Sequence, residues 1–305
     1  MNVVEATRLA VESIWANRLR SFLTLLGVII GIASIVATAA VIQGLNKYVE
    51  EKLSDLGQGV FTVQRFGIIT NQQDFLDAIR RNRRLRREDA HAVRDLCSSA
   101  KNVAWQVRST ADLKRGDQEL LSVEVSGVSP AILEIEPFEV ADGRILLPFE
   151  NERAVPVGFI GNDVAEQLFP GVDPIGKELR IKGTPIRIVG VAEKKGAFMG
   201  FSQDNFVKIP YGLHRKLYGS SRSLRISVQA ADSSRMDDTM DEVRAVLRAR
   251  HHLRPADDDD FDILTSAGIN DLWRSMTATI FSIAIFVVGI SLVVGGVVIM
   301  NIMLV

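Results

Sequence analysis

Residues 171–177 (GVDPIGK) have the G-x-x-x-x-G-K frame in which backbone amides and a lysine cradle nucleotide phosphates. The position that should hold magnesium through a hydroxyl is Glu178, the preceding VAEQLF reads as helix where a strand is required, and a strand follows. The segment therefore reads as a turn, and no cofactor is expected. Asp257, Asp258, Asp259, Asp260 and Asp262 offer the oxygen ligands that calcium takes, but without the glycine turn and terminal glutamate of an EF-hand loop, and read as a flexible acidic linker. His251 and His252 are neighbours that project about 100° apart on a helix, a poor metal pair. Arg80, Arg81, Arg83, Arg84, Arg86 and Arg87 would attract phosphate or anionic lipid, and read as a solvated loop. Cys97, the single cysteine, excludes an internal disulfide and any CxxC site, and suits a small core position on a helix. No nucleophile, base and orienting acid form a set, so neither catalytic residues nor metal ligands are expected.

Small residues four apart form a different kind of site. Gly27 and Gly31, then Ala33 and Ala37, lie in one apolar stretch, and Ser291 and Gly295 lie in another. Such pairs let helix backbones approach closely in lipid, where packing rather than water expulsion drives association. Gly27, Gly31, Ser291 and Gly295 are the expected helix-packing residues.

The stretches that carry them, residues 22–42 and 276–305, hold no charged side chain. At about 1.5 Å per residue each is long enough to span a hydrocarbon core of roughly 30 Å. The first exceeds a secretory signal core, which is the competing reading. In residues 1–21, Glu5, Arg8 and Glu12 share one helical face while Val3, Ala6, Ala10 and Ile14 share another, as in a helix lying in the cytoplasmic interface with Trp15 at headgroup level. Arg8, Arg18 and Arg20 before the first span, against Lys47 and Lys52 after it, place the N-terminus inside. Residues 43–275 then form an extracytoplasmic domain. With 36 basic and 37 acidic residues and a net charge of -1, the chain is no generic nucleic-acid binder.

That domain reads as α+β. A strand at 58–65, a helix at 88–98 and a strand at 102–109 give the order β, α, β, repeated by 224–230, 234–250 and 261–265. Met236, Met240, Val243 and Leu247 form one apolar stripe that should pack on a sheet. Strands around 120–128, 154–160, 178–181, 186–191 and 205–209 predict an inserted strand-rich subdomain at about 118–222; a single fused α+β domain is the alternative.

Residues 20–36 (RSFLTLLGVIIGIASIV), 158–191 (GFIGNDVAEQLFPGVDPIGKELRIKGTPIRIVGV) and 290–305 (ISLVVGGVVIMNIMLV) resemble, in this order, the MacB and FtsX type of ABC transporter permease. The resemblance implies a membrane protein with two transmembrane α-helices flanking an α+β extracytoplasmic domain of porter-like βαβ units with a strand-rich insertion. It further implies a multi-pass inner-membrane subunit, homodimeric or heterodimeric, that works with a separate ABC ATPase and with periplasmic adaptor or other envelope proteins in contact with membrane lipid. Members continue past MNIMLV into further membrane helices, so the chain reads as truncated. The function implied is an export or mechanotransmission permease that is not itself an enzyme. The alternative is a two-span sensor whose external domain binds a ligand.

Overall fold

The computed structural model describes residues 29–30, 32–34, 36–44, 59–69, 71–136, 139–198 and 201–303. The chain forms two compact units, Ser54–Ser266 and Met1–Leu53 with Ala267–Val305.

Within Ser54–Ser266, alternation makes β1 (Val60–Gln64) a strand with Phe61 and Val63 buried on one face. α1 (Gln72–Arg81) starts at Asn71, whose side chain accepts the Asp74 amide at 2.7 Å. α2 (Arg87–Leu96) starts where the Asp89 carboxylate reaches back to the Arg86 amide at 2.7 Å. β2 (Ala100–Arg115) and β3 (Gln118–Val128) form a long hairpin, followed by α3 (Ile132–Ile135), β4 (Val140–Gly143), α4 (Pro148–Glu152) and β5 (Val157–Ile160). Then come α5 (Asn162–Leu168), β6 (Glu178–Ile181), β7 (Thr184–Ala192) and the small hairpin of β8 (Ala197–Phe198) and β9 (Phe201–Ser202). β10 (Phe206–Pro210), α6 (Tyr211–Tyr218), β11 (Arg225–Ala230), α7 (Met236–Arg250) and β12 (Asp262–Thr265) complete the unit.

β12, β1, β11 and β2 lie side by side, each antiparallel to its neighbour. The two β, α, β segments therefore interlock, with β11 of the second inserted between β1 and β2 of the first. Both helices cover one face. Val243 and Leu247 of α7, flanked by Met236 and Met240, join Ala90 and Val93 of α2 against Phe61, Val63, Trp105, Val107, Ile226 and Val228. The stripe spaced for a sheet does pack on one.

β2 extends beyond this sheet. Its far end pairs with both β3 and β6, and pairing continues from β3 through β10, β5 and β7 to β6, which closes a ring of six strands. Leu113, Val125, Ile160, Leu179, Ile186 and Val207 form its core with Val164 and Leu168 of α5 and Leu213 of α6. A third cluster joins Ile132 and Ile135 of α3 to Ala104, Val128, Phe159 and Val189.

In the other unit, residues 29–30, 32–34 and 36–44 are helical. α8 (Ser266–Met303) begins well ahead of the uncharged stretch 276–305, so Asp271 and Arg274 sit in its early turns. Ile29, Ile32, Val36, Met276, Ile283, Phe286 and Val297 are exposed. The Ser34 and Thr38 hydroxyls donate to the Ile30 and Ser34 carbonyls at 2.8 Å. Thr279 and Ser282 donate in the same way to Ser275 at 3.0 Å and Ala278 at 2.8 Å. Among the described residues no helix is long and apolar enough to cross a membrane. The stretches 22–42 and 276–305 both include residues outside that set, and the expected interfacial helix at 1–21 lies wholly outside it.

Candidate functional site

Of the expected packing residues, Gly27 and Gly31 lie outside the described residues, while Ser291 and Gly295 belong to α8, described there as backbone.

The phosphate-loop frame is a turn between α5 and β6 whose amides are already committed. Gly176 N–H donates to the Ile188 carbonyl at 2.8 Å, Lys177 N–H to Pro174 at 3.1 Å and Val172 N–H to Phe169 at 3.1 Å. Ile175 N–H donates to the Asp173 carboxylate at 2.8 Å. A phosphate would have to displace protein acceptors from the very groups that should hold it.

The acidic run, expected as a flexible linker, is instead an ordered hub, because its carboxylates meet cations both near in sequence, such as Arg254, and far away, such as Arg81. Asp258 lies 3.1 Å from Arg81, Asp259 lies 3.1 Å from Arg244 and 2.5 Å from Arg248, and Asp257 lies 3.0 Å from Arg254. At its centre His251 Nδ1 is 2.6 Å from Asp260 Oδ1, and His251 Nε2 is 3.7 Å from Asp89 Oδ2, with all three residues buried. Arg250 Nε reaches Asp89 at 2.6 Å and Arg83 Nε lies 3.6 Å from Asp260. The interaction with Asp89 holds the imidazole above its ordinary pKa, burial opposing and Asp260 adding. Burial acts to raise the Asp89 pKa, but His251, the Arg86 amide and Arg250 together hold it below its usual value. Arg81 and Arg83 are exposed, as expected of a solvated run, but they pair with Asp258 and Asp260 beside buried Asn82 and Leu85. Among the described residues no His, Cys, Asp and Glu group could hold a metal ion. Cys97 is buried, its thiol pushed up to about 11 by burial and Glu242, the behaviour of a core residue.

A pair that sequence spacing does not reveal is Ser109 on β2 and His214 on α6, with Oγ and Nε2 2.8 Å apart. Both are buried, and burial, Arg222 and Lys182 push the imidazole down to about 4. Gly127 on β3 admits the His214 ring, since a Cβ there would fall 2.7 Å from His214 Cγ. This is a helix-to-sheet contact.

The open chemistry lies on the sheet face opposite α2 and α7. Register sets Gln106 against Arg225 and Arg108 against Ser126, one strand after another. Arg225 donates from Nη2 to Gln64 Oε1 at 3.2 Å, and Arg108 Nε lies 3.3 Å from Glu124 Oε1. Gln106 and Ser227, both buried, donate to Glu136 Oε1 at 3.4 and 3.5 Å. Burial and then Arg108 press the Arg225 pKa below its ordinary value. Burial likewise pushes Lys208 down to about 8, with Glu136 opposing and Arg108 adding. Gln64, Arg65, Gln106, Arg108, Ser223 and Arg225 line a recess of about 230 Å³ here.

A family model of the MacB-like periplasmic core domain matches residues 21–246. The macrolide export ATP-binding/permease protein MacB of Azoarcus sp. (strain BH72) is 33% identical over 306 residues, covering all of this chain and 45% of that protein. The chain thus spans less than half of that relative. The uncharacterized ABC transporter permease YknZ of Bacillus subtilis (strain 168) is 26% identical over 313 residues, all of this chain and 75% of that one. The crystal structure of the periplasmic region of MacB from Actinobacillus actinomycetemcomitans has a TM-score of 0.60 at 20% identity, covering 74% of this chain and 97% of that one, a likeness of fold. With the match running from residue 21 to 246, through β1, the closed ring, β11 and most of α7, the chain belongs to the family with a MacB-like periplasmic core domain.

Proposed function

We propose that the chain is the permease part of an ABC-type export or mechanotransmission complex in the inner membrane. Residues 22–42 and 276–305 cross the bilayer, residues 43–275 are extracytoplasmic, and ATP hydrolysis comes from an ATPase domain or subunit outside residues 1–305. The observation that carries this reading is the junction at Thr265 and Ser266, where β12 ends and α8 begins with no linker residue between them. On this reading a displacement of α8 reaches β12 along the chain itself. Coupling of this kind needs a two-state element that nucleotide biases.

Two further features support the bilayer assignment. The exposed apolar side chains of α8 and of 29–44 need a cover. The hydroxyls of Ser34, Thr38, Thr279 and Ser282 turn back onto their own helices, which satisfies them where water is absent. Gly27, Gly31, Ser291 and Gly295 are the positions at which these helices approach one another or a second permease copy, and the external domain meets adaptor or other envelope proteins.

The test is a flexible Gly-Ser insertion between Thr265 and Ser266 in the complete permease with its ATPase. ATP turnover should persist while the coupled external function is lost. Full external function in the insertion variant would overturn the coupling reading.

A further inference from the structure

We propose that the recess formed by β1, β11 and β2 binds the phosphate group of a monoester. This goes beyond the coupling role and does not rest on it. Three arginines, Arg65, Arg108 and Arg225, line the recess, and among the described residues no carboxylate lines it. Their protein partners leave most of this charge unneutralised. Arg65 donates to the carbonyls of Asn82 at 2.9 Å and Ile79 at 3.2 Å, and Arg225 donates to the neutral amide of Gln64 at 3.2 Å. Arg108 has a carboxylate at 3.3 Å, that of Glu124, but Glu124 also accepts from Ser126 Oγ at 2.9 Å.

Charge decides the class of ligand. Arg65, Arg108 and Arg225 line the recess and the Glu124 carboxylate paired with Arg108 offsets one of them, an excess of two positive charges among these four groups. A phosphate monoester carries about -1.5 to -2 at neutral pH and balances that excess, whereas a single carboxylate leaves half of it. Guanidinium groups also match phosphate geometrically, since each presents a planar fork of N–H donors, and among the described residues Arg225 Nε and Nη1 meet no protein acceptor. The recess, about 230 Å³, has room for the phosphate and the first atoms that bear it. Burial of Arg225 strengthens the interaction by thinning the water that would screen it.

The monoester could belong to a soluble sugar phosphate or to a lipid headgroup, and the experiment separates them. The purified full chain in detergent is titrated calorimetrically with inorganic phosphate and with glucose 6-phosphate, and its sedimentation is measured with vesicles of phosphatidate in phosphatidylcholine. Saturable phosphate binding is expected, weakened at least tenfold by Arg225→Gln and by Arg108→Gln but unchanged by Arg180→Gln on the exposed face of β6. Binding of the sugar phosphate alone assigns a soluble ligand, and arginine-dependent capture on phosphatidate vesicles assigns a headgroup. Should Arg225→Gln fail to fold, Arg108→Gln decides, because that side chain is half exposed. Absence of saturable binding to every probe, binding that survives both substitutions, or acetate binding as tight as phosphate overturns the proposal.

Discussion

Replacing His251 by glutamine removes the cation bonded to buried Asp260 at 2.6 Å, and leaves that carboxylate with Arg83 at 3.6 Å. Asp89 suffers less, because Arg250 at 2.6 Å and the Arg86 amide at 2.7 Å still hold it. Breaking one partner of a buried pair costs about 3–5 kcal/mol. Loss of the edge-on contact with Phe261, whose ring centroid is 6.1 Å away, is worth a further ~1 kcal/mol at most. The pH dependence fixes the cause. The imidazole pKa is raised on folding, so its stabilisation is complete below about 6.5 and is lost as pH rises through the folded value. Asp89 runs the other way: its contribution is present above about 3.9 and is lost as pH falls through its depressed folded value. Between about pH 5 and 9 Asp89 stays charged and His251 alone titrates in this pair. Urea unfolding followed by circular dichroism should therefore show a gap between parent and His251→Gln of about 3–5 kcal/mol near the acid end. Towards the alkaline end it should shrink to about 1 kcal/mol, the worth of one neutral hydrogen bond from Nδ1. A gap that is constant with pH, or that widens as pH rises, would refute the reasoning.

Other outcomes follow from single contacts. Glu242 is held at about 2, chiefly by the Ser99 hydroxyl and the Ser98 amide, so its support is present above pH 4.5 and fades as pH falls towards 2. Amide exchange at Ser98 and Ser99 should quicken in Glu242→Gln at neutral pH, and unchanged exchange would show that this clamp is idle. Gly127→Ala should cost about 1–3 kcal/mol by pushing α6 off β3, read as a lowered thermal midpoint; an unchanged midpoint would mean that the His214 ring can give way. Because the amides of Val172, Ile175, Gly176 and Lys177 are spent within the protein, the purified chain should bind no ATP, and saturable binding lost in Lys177→Ala would reverse that conclusion.

Elements that repeat a local period were legible in the sequence. The stripe from Met236 to Leu247 reads as a helix face, and Val243 and Leu247 are buried there. α1 was not, because its apolar Phe75, Leu76 and Ile79 are exposed and Ala78 alone of its residues is buried, so it has no core-facing stripe to recognise. β2 is one strand of 16 residues, yet its last six, TADLKR, carry a single fully buried side chain, Leu113, and spacing alone reads them as a break. The hub around Asp260 and the arginine recess were hidden for another reason. Arg81 and Asp258 are 177 positions apart, and Arg65, Arg108 and Arg225 come from three separate stretches of chain. Pairing at that range follows from the tertiary fold, which brings distant stretches together and which local periodicity does not reveal.

The interlocking of the sheet also sets an order of assembly. β1 is made early, but Val60 pairs with Gln229 and Phe61 with Thr265, partners that leave the ribosome only after the whole closed ring has been made. At about 5–20 residues per second the strand waits on the order of 10–40 s with both edges unpaired. The ring needs no such delay beyond β10, since its strands come from one continuous stretch, so it can close first and hold β2 as a template. Nascent chains stalled before β11 should thus carry a finished barrel beside an orphan strand, and it is that strand, VFTVQ, that a chaperone would have to shield.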